Sequence, residues 1–134
     1  MSGFLERAKE LRALKTPHIN CAQAVAVPFA EAKGIPAELT LRFAAGFGGG
    51  MKRGSVCGAV TGGIMALGLY GLDDPKTLGA FHQKLTEKYR GMLDCGALVR
   101  AAADAGLEKK PFCDCLIYES IAAVEELLKE QGLL

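Results

Sequence analysis

The sequence lacks tryptophan, contains only 7% aromatic residues and has no surplus of charge of either sign. Its 16 basic residues are set against 15 acidic ones, which gives a net charge of +1. Because nucleic-acid-binding proteins need a basic patch or stacking aromatics, we expect no nucleic-acid partner. The amphipathic N-terminal segment, residues 1–16, has no apolar stretch of a signal peptide, so we expect a cytoplasmic protein with reduced thiols.

Charge is also absent from residues 54–72, a run close to the length that a membrane span requires. The run is rich in glycine and also contains hydroxyl side chains, however, and the segments on either side of it are amphipathic. These features favour a helix buried on all sides inside a bundle over a membrane span.

The alternation of apolar and polar residues that is typical of strands is missing, whereas apolar residues recur at spacings of three and four. Asn20, Asp74 and Asp94 each precede such a stretch and are suitable helix caps. With 134 residues, the chain is long enough for one core. The sequence predicts an all-α single domain over residues 1–134, a bundle of about six or seven helices around a buried, glycine-rich central helix that begins near Ser55.

The chain has five cysteines, and helical facing separates one of them from the others. Four are predicted to face the core of the bundle: Cys21, Cys57, Cys95 and Cys113. Cys115 shares a helical face with Glu119 and Glu126, so it is predicted to point away. We therefore expect the four inner thiols to converge.

The four inner cysteines also share a position, because each is predicted to lie in the first turn of its helix. Unpaired N–H groups and the positive end of the helix dipole stabilise a thiolate there. For Cys57, a cap at Ser55 and the charges of Lys52 and Arg53 reinforce this effect, while burial opposes it. We expect the helix start and the charges to prevail, which makes Cys57 the most acidic thiol and the first to react.

Several segments together resemble a known family: "NCAQAV" at residues 20–25, "GFGGGMKRGSVCGAVTGGIMALGL" at 46–69 and "CGALV" at 95–99. They resemble the family of small redox-active proteins named for its C_GCAxxG_C_C pattern, whose CGAxxG element is met by residues 57–62. The resemblance implies a redox role for four cysteines, which fall on Cys21, Cys57, Cys95 and Cys113. The assignment of the fourth cysteine to Cys113 rests on helical facing, because the segment "FCDC" also contains Cys115. The resemblance supplies no substrate.

Three hypotheses of function follow. The first is a thiol–disulfide redox protein with no cofactor and an unidentified redox partner, in which thiols must meet across helices because there is no C-x-x-C motif. The second is a metal or iron–sulfur site held by the four thiolates of Cys21, Cys57, Cys95 and Cys113, with His18 as an additional candidate ligand. The third is a structural or interaction module, such as a homodimer packed through a glycine-lined face.

Overall fold

The computed structural model describes residues 2–134, and its regular structure is helical. Seven α-helices follow one another: α1 (Gly3–Ala13), α2 (Cys21–Ala32), α3 (Ala37–Phe43), α4 (Gly58–Leu69), α5 (Pro75–Lys88), α6 (Cys95–Asp104) and α7 (Lys109–Glu130). A 3₁₀ turn, Ala45–Phe47, and a tight loop, Gly50–Gly54, connect α3 to α4. The predicted all-α fold is confirmed.

The predicted caps explain why two of these helices begin where they do. The Asn20 side chain accepts a hydrogen bond from the Gln23 N–H (2.9 Å), and the Gln23 side chain accepts one from the Asn20 N–H (2.8 Å). Asp74 caps α5 by accepting a hydrogen bond from the Thr77 N–H (2.9 Å). Asp94 occupies the cap position of α6, but its side chain makes no capping hydrogen bond.

The core is built around α2, in which nine consecutive residues, 22–30, are buried. Helix α4 packs against α2 and α7. It begins at Gly58 rather than near Ser55, and Gly68 and Leu69 in its last turn are exposed. The prediction that this helix is buried on all sides is therefore wrong at its C-terminal end, where the helix reaches the edge of the bundle and no atom lies within 4 Å of a methyl group placed on Gly68.

The glycines of α4 allow α2 to approach its backbone closely. A methyl group on Gly62 would lie 2.7 Å from the Ala22 carbonyl oxygen, and one on Gly58 would lie 2.9 Å from the Ala22 nitrogen. On another face of α4, the Ser120 hydroxyl donates a hydrogen bond to the Ala59 carbonyl (2.7 Å). Since α2 covers Gly58 and Gly62 within the chain, these glycines do not form an exposed face on which a second copy could pack.

Most of the charge-free run, residues 54–72, forms α4, a helix of only 12 residues. None of the helices in residues 2–134 combines the length and the apolar character needed to cross a bilayer.

We expect Gly62→Ala to lower the free energy of unfolding by about 2 kcal/mol, because the new methyl group would meet backbone atoms of α2 that cannot move aside cheaply. Gly68→Ala in the same helix is the matched control. It meets no neighbour and should raise the free energy of unfolding by about 0.5–1 kcal/mol, since alanine is the better helix former. Urea denaturation followed by circular dichroism measures both, and a neutral Gly62→Ala would contradict the close α2–α4 contact.

Candidate functional site

Cys21 is the first residue of α2, directly after the Asn20 cap. The cap residue is itself held in place, because its side-chain amide donates a hydrogen bond to the Ala45 carbonyl (3.0 Å). Gln23 reaches in the same direction and donates a hydrogen bond to the Leu41 carbonyl (2.8 Å). The start of α2 is thereby fixed against α3 and the 3₁₀ turn that follows it, and the predicted first-turn position of Cys21 is confirmed.

A single antiparallel bridge between Val56 and Asp94 holds the starts of α4 and α6 together. The Cys57 N–H donates to the Leu93 carbonyl (2.7 Å), and the Cys95 N–H donates to the Ser55 carbonyl (2.6 Å). Two cysteine N–H groups at helix starts thus find their partners across the bridge rather than at a capping side chain. Cys95 is the first residue of α6 as predicted, but Cys57 is itself the cap residue of α4, and the predicted cap at Ser55 is wrong.

The loop before Cys57 has an unusual backbone. Gly49, Gly50, Met51 and Lys52 all have φ values between 60° and 63°, in the left-handed region that residues other than glycine rarely adopt. The loop passes so close to α6 that a methyl group on Gly50 would lie 2.9 Å from the Cys95 Cβ. The glycine-rich sequence is therefore needed to bring this loop against Cys95.

Cys113 lies in the second turn of α7 rather than in its first, because the helix already begins at Lys109. Pro111 lies inside the helix and not at its start. It occupies the third helical position, where its missing N–H removes no helical hydrogen bond. Cys113 is buried and Cys115 is exposed, in agreement with the facing predicted for α7.

The structure brings the four inner thiols into one electrostatic cluster. Its strongest interaction joins Cys21 and Cys113, where hydrogen bonding between the two thiols shifts the pKa of both. Cys57 interacts electrostatically with Cys21, Cys95 and Cys113, and Cys95 interacts with Cys113. Cys115 is not among the groups that shift the pKa of any inner thiol; its charge acts on Tyr89 and Tyr118 instead.

The four thiols of the cluster differ in pKa. The hydrogen bond from Cys21 lowers the pKa of Cys113 from an ordinary 9.0 to about 7, with further help from the charges of Lys109 and Arg12. The same hydrogen bond raises the pKa of Cys21. Burial raises the pKa of Cys95 and brings that of Cys57 to about 11, although the N–H groups of Ala59 and Val60 oppose the rise at Cys57.

The expectation that Cys57 is the most acidic thiol is therefore wrong. Lys52 and Arg53 are exposed, and neither is among the largest influences on the Cys57 pKa. Desolvation of the sulfur outweighs the favourable N–H groups at the start of α4. Cys113 takes the acidic role because its sulfur accepts a hydrogen bond and lies near two positive charges.

Three of the four inner thiols, those of Cys21, Cys95 and Cys113, line an open cleft of about 570 Å³. Cys57 is only 3% exposed and does not line it. His18, which was considered as a ligand, is an exposed residue on the wall of the cleft. Cys113 therefore borders the cleft, whereas Cys57 does not.

Sequence reasoning missed Arg12, which is buried on α1 beside the thiols. Its Nε donates to an Asp114 carboxylate oxygen (2.6 Å), and its Nη1 donates to the Ile19 carbonyl (2.7 Å). The signal available in the sequence was the position of Arg12 next to Leu11, which faces the core. The partner of Arg12, Asp114, lies 102 positions away in the sequence. No local pattern connects the two residues.

The geometry does not favour the metal hypothesis. Within residues 2–134, no group of three or more His, Cys, Asp or Glu side chains is arranged to hold a metal ion. The thiols therefore do not fit a four-thiolate metal or iron–sulfur site, and no such group takes part in the chemistry proposed below.

Timed iodoacetamide labelling of the reduced protein tests this order of acidity. Labelling of Cys113 should rise with pH through a midpoint of about 7, because the thiolate is the nucleophile, whereas Cys57 should need a pH of about 11 or unfolding. Lys109→Gln should raise the pH midpoint of Cys113 labelling, because it removes a positive charge near the sulfur. Lys76→Gln, at an exposed position of α5, should leave that midpoint unchanged. Peptide mass spectrometry gives the rates, and labelling of Cys57 before Cys113 would contradict the assignment.

The comparisons with known proteins agree with the cysteine pattern. No curated protein and no solved structure matches the chain significantly. The family model described as "Putative redox-active protein (C_GCAxxG_C_C)" matches residues 19–127, which is most of the chain and includes all five cysteines. The chain therefore belongs to the C_GCAxxG_C_C family of redox-active proteins.

Proposed function

We propose that the protein carries out thiol–disulfide exchange, with Cys113 as the attacking thiol and Cys21 as the thiol that completes the disulfide. The observation that carries this proposal is that Cys21 and Cys113 line the same cleft and that each thiol shifts the pKa of the other, which is raised at Cys21 and lowered at Cys113. An exchange pair needs one thiolate that attacks and one neighbouring thiol that follows. Cys113 and Cys21 have these two properties.

The lowered pKa gives Cys113 a moderate advantage at neutral pH. Because its pKa is lowered, a larger fraction of Cys113 than of an ordinary thiol is thiolate at neutral pH. Intrinsic nucleophilicity falls as the pKa of a thiol falls, which offsets part of this gain. The pKa alone therefore supports exchange rates only modestly above those of a free thiol, and specificity must come from what the cleft binds.

Cys57 and Cys95 belong to the same proposed redox site but not to its first disulfide. Cys95 lines the cleft together with the pair, whereas Cys57 is buried and does not line it. The bridge between Val56 and Asp94 fixes the backbone at both residues. These two thiols interact electrostatically with Cys113 and remain reduced while Cys21 and Cys113 form their bond.

Disulfide mapping tests the proposal. The reduced protein is treated anaerobically with a limiting amount of diamide, free thiols are blocked, and non-reduced peptides are analysed by mass spectrometry. A Cys115→Ser background removes the ambiguity of the "FCDC" segment, since Cys113 is then the only thiol on α7. We expect the first disulfide to join Cys21 and Cys113.

Single substitutions separate the roles of the thiols. Cys113→Ser should abolish the first disulfide, whereas Cys115→Ser, two positions along the same helix, should leave its rate of formation within about twofold of the starting protein. Cys57→Ser and Cys95→Ser should retain it. A first disulfide between Cys113 and Cys115, or none at all, would overturn the proposal.

A further inference from the structure

The cleft above the thiol pair is lined by five basic side chains, Arg12, Lys15, His18, Lys109 and Lys110, and by no acidic one. Four of these are permanently positive, in a chain whose net charge is only +1. The cations therefore gather at the thiols and do not reflect a basic protein overall. Such a cleft concentrates negative charge at its mouth.

The carboxylate next to the cleft does not neutralise these cations. Asp114 accepts hydrogen bonds from Arg12 Nε (2.6 Å) and Lys110 Nζ (3.1 Å), so one carboxylate serves two positive groups. Lys15 and Lys109 form no ion pair with any residue from 2 to 134. Excess positive charge remains on both walls, one formed by the end of α1 and the other by the start of α7.

Arg12 distinguishes this site from a chance group of surface lysines, because its side chain is only 6% exposed. Its Nε and Nη1 are held by Asp114 and by the Ile19 carbonyl, while its Nη2 makes no hydrogen bond within residues 2–134. Arg12 therefore offers a fixed cationic donor at the cleft wall, near the Cys113 sulfur whose pKa it lowers. Arginine in such a position suits carboxylate recognition.

We propose that the cleft binds a low-molecular-weight disulfide that bears carboxylates and that this molecule is the exchange partner of Cys113, an inference that rests on the proposed thiol–disulfide exchange. A volume of about 570 Å³ is in the range of small-molecule sites. Carboxylates pair with Lys15, Lys109 and Arg12, which places the disulfide sulfurs over the thiol pair.

The exchange proceeds in two balanced steps. The Cys113 thiolate attacks one sulfur of the bound disulfide, so that a mixed disulfide forms, the original S–S bond breaks and one thiolate leaves. The Cys21 thiol then gives up its proton and attacks the Cys113 sulfur, which forms the Cys21–Cys113 bond and releases the second half of the ligand. Two electrons pass from the protein to the ligand, and the products are a protein disulfide, one small thiolate and one small thiol.

Three small disulfides of similar size and different charge serve as probes: dianionic dithiodipropionate, neutral hydroxyethyl disulfide and dicationic cystamine. Second-order rates of oxidation are measured for the reduced full chain and divided by the rate of the same probe with a free cysteine peptide. We expect dithiodipropionate to exceed the neutral probe by about tenfold or more at low salt, cystamine to be slower than the neutral probe, and the differences to shrink in high salt.

A double variant, Lys15→Gln with Lys109→Gln, should remove most of the preference for the dianion. Because Lys109 also affects the acidity of Cys113, the readout is the ratio of the dianion rate to the neutral rate, in which a change of thiolate content cancels. The control double variant, Lys76→Gln with Lys129→Gln, removes the same charge from exposed sites outside the cleft and should keep the ratio.

Equal normalised rates for the three probes would contradict the proposed anionic ligand, and so would a dianion-to-neutral rate ratio that falls equally in both double variants. Neither result would contradict the proposed thiol–disulfide exchange. If no probe forms the Cys21–Cys113 disulfide while dithiothreitol-reduced protein still has five free thiols, the proposed function itself is overturned, and this inference with it.

Discussion

The close contact between α2 and α4 is the constraint on which the site depends. With hydrogen atoms in place of side chains at Gly58 and Gly62, the backbone of α4 lies against the Ala22 peptide at the start of α2. That contact brings the cap residue of one helix next to the first residue of the other, and hence Cys57 next to Cys21. A side chain at either glycine would meet backbone atoms of Ala22 and force the starts of α2 and α4 apart.

The Val56–Asp94 bridge adds the third helix start to this arrangement. Helix termini leave backbone N–H groups without partners, and such groups are commonly satisfied by a capping side chain. At Cys57 and Cys95 a neighbouring strand-like segment satisfies them instead. The backbone around these two cysteines is thereby held in place, while Cys113 lies on α7, which the Arg12–Asp114 ion pair joins to α1.

The fold could be predicted from the sequence because local signals determine it: apolar spacing, and caps at Asn20 and Asp74. Helical facing also separated Cys113 from Cys115. The acidity of the thiols could not be predicted, since it depends on how deeply each sulfur is buried and on which distant side chain contacts it. The hydrogen bond between Cys21 and Cys113 and the approach of Arg12 to Asp114 join residues at opposite ends of the chain.

The distance in sequence between the two exchanging thiols has a thermodynamic consequence. A bond between the starts of α2 and α7 would close a loop of about 90 residues, and such a loop restricts the unfolded chain by about 4–5 kcal/mol. Because folding and disulfide formation are linked, the folded protein would protect the bond from reduction by the same free energy, which corresponds to about 90–100 mV in reduction potential. If the proposed disulfide forms, the topology of the bundle would therefore set part of its reduction potential, and loosening the core would make the bond easier to reduce.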